Sequence, residues 1–335
     1  MSLVITPAST PLADALTAAL RHDDPVAIDT LGDNSPEGSR DRFATLLAVY
    51  DLHSAPLRSL GSAARHQHRP AIAAIKQRCE RDWLDELHAL RLPPPVGELL
   101  HGDGPLSAMR ALAAQDRLPA VYKWIAREAP WPTVVEFLAH EGGPDAGFDD
   151  LVAACQVGLS GPAKLELATN YWDEMGNGAP AAVHSTLHDR LAAAIHLPRI
   201  QADAQPTSAL ARRALGGLLA TNRWLQPEML GALGLIELQA GPRCRLILQA
   251  FSRCGAPADA YPFYAVHAEV DPRHGQDWLD NAIAPTVAAD PGLAERIVRG
   301  AFWRSAVNAS FLTDMAAGLG VGDTAPAHVA DSEAA

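Results

Sequence analysis

The sequence predicts an all-α protein. Apolar residues recur at intervals of three and four through most of the chain, the period of one helix face. Alternating runs rich in Val, Ile and Thr, the mark of half-buried strands, are nearly absent. Cap-type residues open the periodic stretches and Gly or Pro closes them, which places helices in order at about 10–22, 37–55, 61–91, 105–115, 117–128, 131–141, 148–157 and 161–175. The series continues at 179–196, 206–220, 226–254 with a break near Gly241-Pro242, 257–285 and 290–317.

Leu92-Pro93-Pro94-Pro95-Val96 cannot continue a helix, because prolines remove donors and fix φ, so it reads as a boundary. Residues 1–95 form an N-terminal helical region, 96–317 a larger bundle, and 318–335 a tail with few large apolar residues that is expected to be disordered. The N-terminal region holds three expected helices and no recognisable chemistry; it is expected to pack on the bundle or to mediate a dimer. Its Arg65-His66-Gln67-His68-Arg69 run fans around a helix and reads as solvated.

Composition narrows the function. With 335 residues, 48% of them apolar, the chain can bury a substantial core. A net charge of −12 argues against nucleic acid or an anionic membrane surface as partner, since both reward basic patches. Small molecules or further copies of the chain fit better. The four cysteines show neither a C-x2-C spacing nor a framework pattern, which fits reduced thiols in the cytoplasm. No stretch approaches a membrane span, and no export leader is evident.

The chemistry concentrates late in the chain. His267, Asp271 and His274 follow an H-x3-D-x2-H spacing. At about 100° per residue they fall at roughly 0°, 40° and −20° around a helix, so two imidazoles and a carboxylate converge on one face. Burying such a trio calls for a cation, and this ligand mixture suits iron, manganese or zinc. Pro272, inside the trio, deletes the hydrogen bond to the Ala268 carbonyl and is expected to kink or loosen the helix, leaving one metal weakly held. Further candidates stand upstream: Glu141 before Gly142-Gly143, Glu174 before the Gly176-Asn177-Gly178 loop, His184 just after it, and Glu237 in an otherwise apolar segment. His188 is one turn from His184 and Asp173 adjoins Glu174, so each is an alternative in its neighbour's role.

In this order the residues resemble the haem-oxygenase-like diiron oxidases and oxygenases, also known as iron-containing redox enzymes, over roughly residues 100 to 315. That resemblance implies a haem-oxygenase-like bundle holding two irons in place of haem. It implies Glu141, Glu174, His184, Glu237, His267, Asp271 and His274 as ligands, with His184 favoured because the family places an imidazole directly after the glycine-containing loop. It implies O2 as co-substrate, a peroxo-bridged diferric intermediate, room for an external electron donor, and a homodimer. The expected reaction is N-oxygenation of a small nitrogen-containing metabolite in natural-product biosynthesis; the alternative is C–C cleavage or desaturation of an amino acid or fatty acid. A helical interaction scaffold is the non-enzymatic alternative, though no repeat of fixed period is present. Haem binding would instead predict a Soret band. Tyr171 and Tyr264 flank ligands and are candidate substrate contacts, as are Trp172 and Trp278, although aromatic residues at helical spacing are more often core. Arg243 and Arg245 could receive a carboxylate, but arginines in a first helical turn usually face solvent.

Overall fold

The computed structural model describes residues 10–115, 117–142 and 147–321, and among these every regular element is helical. The helices run α1 (Pro11–Arg21), α2 (Pro25–Thr30), α3 (Gly38–Ser54), α4 (Leu57–Leu60), α5 (Pro70–Ala89) and α6 (Pro94–Gly102). Then come α7 (Pro105–Gln115), α8 (Ala120–Arg127), α9 (Trp131–Glu141), α10 (Phe148–Cys155), α11 (Gly161–Glu174) and α12 (His184–Ala194). The last are α13 (Thr207–Thr221), α14 (Gln226–Cys254), α15 (Tyr261–Asp277), α16 (Ala284–Ala289) and α17 (Ala294–Leu319).

Differences from the expected elements have local causes. The triple proline opens α6, with Pro93 as N-cap and prolines in the first turn, because the N–H groups there have no intrahelical acceptor to lose. The stretch expected as one helix over 61–91 divides into a 3-10 turn and α5, which restarts at Pro70. The short α2 exists because Asp24 Oδ1 accepts from the N–H groups of Val26 and Ala27, each at 3.0 Å. No break occurs at Gly241-Pro242, and α14 runs through it. The final helix extends to Leu319, where Gly320 adopts a left-handed φ of 69° as its cap. The remainder of the tail, from residue 322, lies outside the described residues.

Contacts divide the described chain into one unit of residues 92–199 with 226–321 and another of 10–91 with 200–225. The grouping of 200–225 with the N-terminal helices is non-local. Within that smaller unit, Arg40 donates to the carbonyls of Ala202, Asp203 and Gln205. Gly217 of α13 accommodates the Tyr50 ring, where a Cβ would stand 2.2 Å from its Cδ2. Fully buried Asp41 accepts from the N–H groups of Ala13 at 2.9 Å and Glu37 at 2.8 Å, tying the starts of α1 and α3 together. Arg65 and His68 of the 65–69 run are exposed, as expected, but His66 is buried against Asp23 at 2.7 Å, and Arg69 grips Asp29 through two bonds of 2.6 Å.

The larger unit is organised around α14, which packs on α8, α15 and α17. Glycines set these approaches. A Cβ on Gly231 would lie 1.8 Å from the Ile297 carbonyl oxygen, and one on Gly300 would lie 1.9 Å from that of Glu228. Gly234 makes room for the Trp278 indole, whose Nε1 donates to the Leu230 carbonyl at 3.0 Å. Fully buried Glu228 is held by Arg296 at 2.7 Å and by Arg299.

Pro272 does not interrupt α15, which continues to Asp277 and passes into a π-helical turn at Trp278–Ile283. Two neighbours on α14 explain why the expected loosening is contained. Gly241 leaves a notch for the proline ring, its would-be Cβ being 2.8 Å from Pro272 Cδ. Arg245 Nη2 donates at 2.8 Å to the Ala268 carbonyl, the acceptor that the proline leaves without its helical donor. Arg245 therefore serves the backbone, and Arg243 lies over the Tyr122 ring and donates to Gln239. Arg245→Ala is expected to lower unfolding free energy by about 1 kcal/mol in urea titration.

All four cysteines are free thiols. Burial pushes Cys79 up to about 11 and Cys155 up to about 12. A thiol reagent added to the native protein is expected to modify the part-exposed Cys254 first, and rapid alkylation of Cys155 by mass spectrometry would contradict this.

Candidate metal centre

Helix α11 ends at Glu174 and α12 begins at His184, and the connection between them brings the two together. Gly176, Asn177 and Gly178 all take positive φ, 61°, 52° and 83°, conformations open to Gly and tolerated by Asn. At Gly176 a Cβ would stand 2.4 Å from the Ala182 carbonyl carbon, so the loop closes on its own backbone. The result sets His184 Nδ1 2.7 Å from Glu174 Oε2, both side chains buried. From α15, His267 joins them with its ring 4.6 Å from that of His184. Ligand atoms of Glu174, His184 and His267 all lie within 4.8 Å of one another, and so do those of Glu237, Asp271 and His274.

Both groups open on one small cavity, about 10 Å³ as space for a water's centre, lined by Glu174, His267, Glu237 and Asp271 with Phe148, Ile236 and Ala240. The carboxylates crowd each other there. Burial first, then the charges of Asp271 and Glu174, push Glu237 well above the usual carboxylate range. Burial also lowers His274, against the opposing pull of Asp173. His274 Nδ1 is buried with no hydrogen-bond partner, 3.8 Å from Glu237 Oε2. Three carboxylates and three imidazoles buried together, one nitrogen orphaned, form a donor set that a divalent iron-type cation would neutralise.

The structure also distinguishes neighbours. His184 is in the first group, whereas His188 meets Phe263 edge to face, ring centroids 5.0 Å apart. Glu174 is a group member, whereas Asp173 points to His274 Nε2 at 2.8 Å. Glu141 is a member of neither group; buried at the end of α9, it accepts the Tyr122 hydroxyl at 2.6 Å. Glu166 is half-buried and accepts from Asn281 at 3.0 Å. Neither Tyr171 nor Tyr264 lines the cavity; Tyr264 is core, its ring 5.1 Å from Phe263 and 5.5 Å from Phe251. Trp172 is half-exposed, and Trp278 is fully buried against α14.

Sequence reasoning missed Asn170, whose Nδ2 donates to Glu237 Oε1 at 2.6 Å. Its place one turn before Glu174 was the available signal. It also missed Phe148, which carries no ligand chemistry and is recognisable only from the cavity it walls.

Bundle and site together define a class: all-helical proteins that bury paired acid and imidazole groups for metal. A family model described as "Iron-containing redox enzyme" matches residues 135–309, more than half of the chain. The chain belongs to this family, as an all-α haem-oxygenase-like bundle and an iron-dependent oxidoreductase. A search of curated proteins finds no match. No helix among the described residues is long and apolar enough to cross a membrane.

Proposed function

We propose that this protein is a non-haem diiron, O2-dependent oxygenase or oxidase that N-oxygenates a small nitrogen-containing metabolite. The observation that carries the two-ion reading is the single cavity shared by both ligand groups. Glu174, His184 and His267 would hold one iron, and Glu237, Asp271 and His274 the other. Glu141 would join as a seventh ligand by exchanging its bond from Tyr122 for an ion. When bound, two ferrous ions supply two electrons to O2.

The chain's own residues prepare this site. His267 Nδ1 lies 2.6 Å from the Phe263 carbonyl, which can only accept, so Nδ1 carries the proton and Nε2 is left for a metal. Phe148, Ile236 and Ala240 wall one side of the cavity with apolar surface. A cavity of this size admits little more than a water, so a substrate must displace side chains to reach the ligands. The apolar wall favours a second reading for the reaction, cleavage or desaturation of an aliphatic amino acid or fatty acid.

The test is anaerobic Fe(II) loading followed by O2 in the presence of candidate amines, with product mass and a new N–O bond as readout. A carbon-chain fragment or alkene from the aliphatic substrates would select the second reading, and O2 uptake that ignores Fe(II) would refute both. Phe148→Ala is expected to enlarge the cavity and shift preference toward bulkier substrates by roughly tenfold in kcat/KM, measured in competition.

A further inference from the structure

One face of α11 does more than present a ligand. Asn170, Asp173 and Glu174 stand at positions i, i+3 and i+4. Glu174 belongs to the first ligand group, but the other two reach the second. Asn170, only 1% exposed, donates to Glu237 Oε1, and Asp173 Oδ2 faces His274 Nε2. An ionised carboxylate only accepts, so Nε2 must be the protonated nitrogen of the neutral ring. The lone pair is then on Nδ1, the buried atom without a hydrogen-bond partner that lies toward Glu237 Oε2. His267 has the opposite polarity, with Nδ1 committed to the Phe263 carbonyl. Two imidazoles of one helix thus offer different nitrogens to their two ligand groups, and a different acceptor selects each.

We propose that Asn170 and Asp173 are positioning residues for the Glu237–Asp271–His274 group. Asp173 selects Nδ1 of His274 as the metal-facing nitrogen, and Asn170 holds Oε1 of Glu237 so that Oε2 turns to the ion. The proposal rests on the two-ion reading above. Because Glu174 lies on the same helical face, α11 serves both groups: it supplies a ligand to one and the orienting bonds of the other.

The experiment is anaerobic titration of the full chain with Co(II), followed by its visible bands. The wild type is expected to take two equivalents. Asp173→Ala should keep one at wild-type affinity and weaken the other about 10- to 100-fold, the usual effect of removing a partner behind a ligand. Asp173→Asn retains an acceptor oxygen and should fall between the two. His274→Ala and the Asp173→Ala/His274→Ala double variant should retain the same single equivalent, whereas Asp173→Ala/His184→Ala should weaken both. Asn170→Ala should weaken the same equivalent as Asp173→Ala. Arg273, whose exposed guanidinium reaches Asp173 at 3.2 Å, tests the ion pair alone, and Arg273→Ala should leave both equivalents unchanged. Two wild-type-affinity equivalents in both Asp173 variants, or equal weakening of both in either, would overturn the proposal while the two-ion reading stands. A wild type that takes fewer than two equivalents would remove the two-ion reading and this proposal with it.

Discussion

His267→Ala is expected to abolish metal binding at the Glu174–His184–His267 group and to cut Fe(II)-dependent O2 consumption by about a hundredfold or more. Loss of a residue behind a ligand already weakens a site by about 10- to 100-fold, and loss of the ligand itself sets that as the floor. The ring is 2% exposed and lines the cavity between the two groups, so no water-facing side chain stands ready to replace it. Metal should also stabilise the wild type, by about 2.7 kcal/mol at a hundredfold excess over Kd for one site. Thermal melting with and without anaerobic Fe(II) reads this directly, and the shift should shrink in the variant. His188→Ala, which removes a ring packed edge-on against Phe263 and belonging to neither group, should keep the full metal-induced shift. An unchanged O2 reaction in His267→Ala would refute the assigned site.

The largest expected loss of stability is at a glycine. Gly300→Ala would place a Cβ 1.9 Å from the Glu228 carbonyl oxygen and 2.4 Å from its carbonyl carbon, both backbone atoms. Alanine's helix propensity favours the change by about 1 kcal/mol, so the sign depends on the clash. The clash wins, because neither backbone can yield without separating α14 from α17, and the same residue Glu228 is the buried anchor of Arg296 and Arg299. A net destabilisation of about 3 kcal/mol or more is expected in urea unfolding, at the upper end for overpacked sites. Gly97→Ala in α6 is the contrasting case. Nothing lies within 4 Å of its would-be Cβ, so propensity decides and a gain of roughly 0.5–1 kcal/mol is expected.

The balance between what is local and what is not runs through the whole molecule. The all-helical class was legible because the 3.6-residue period is written along each segment, and α9 and α14 begin and end where their residues indicate. The H-x3-D-x2-H face was legible for the same reason, helical geometry being enough to align His267, Asp271 and His274. The consequence of Pro272 was not. It is set by Gly241 and Arg245, which are distant in sequence and adjacent only once α14 packs on α15. The contact of Asp173 with His274 was likewise hidden. Beside Glu174 it looked like an alternative ligand, and only the 100° rotation between consecutive helical residues, fixed by the packing of α11, turns one inward and the other onto His274. The Tyr122 hydroxyl that Glu141 accepts was hidden too, because the two residues lie on different helices and meet only through packing.

By itself, then, the sequence determined the helices and the acid and imidazole residues they carry, because period, caps and spacing are properties of neighbours along the chain. Tertiary structure alone decided which of those residues share a cavity, which acceptors meet the nitrogens of His267 and His274, and which unit residues 200–225 join. Those outcomes depend on helix–helix approach, and approach is set by atoms that meet only in the folded protein.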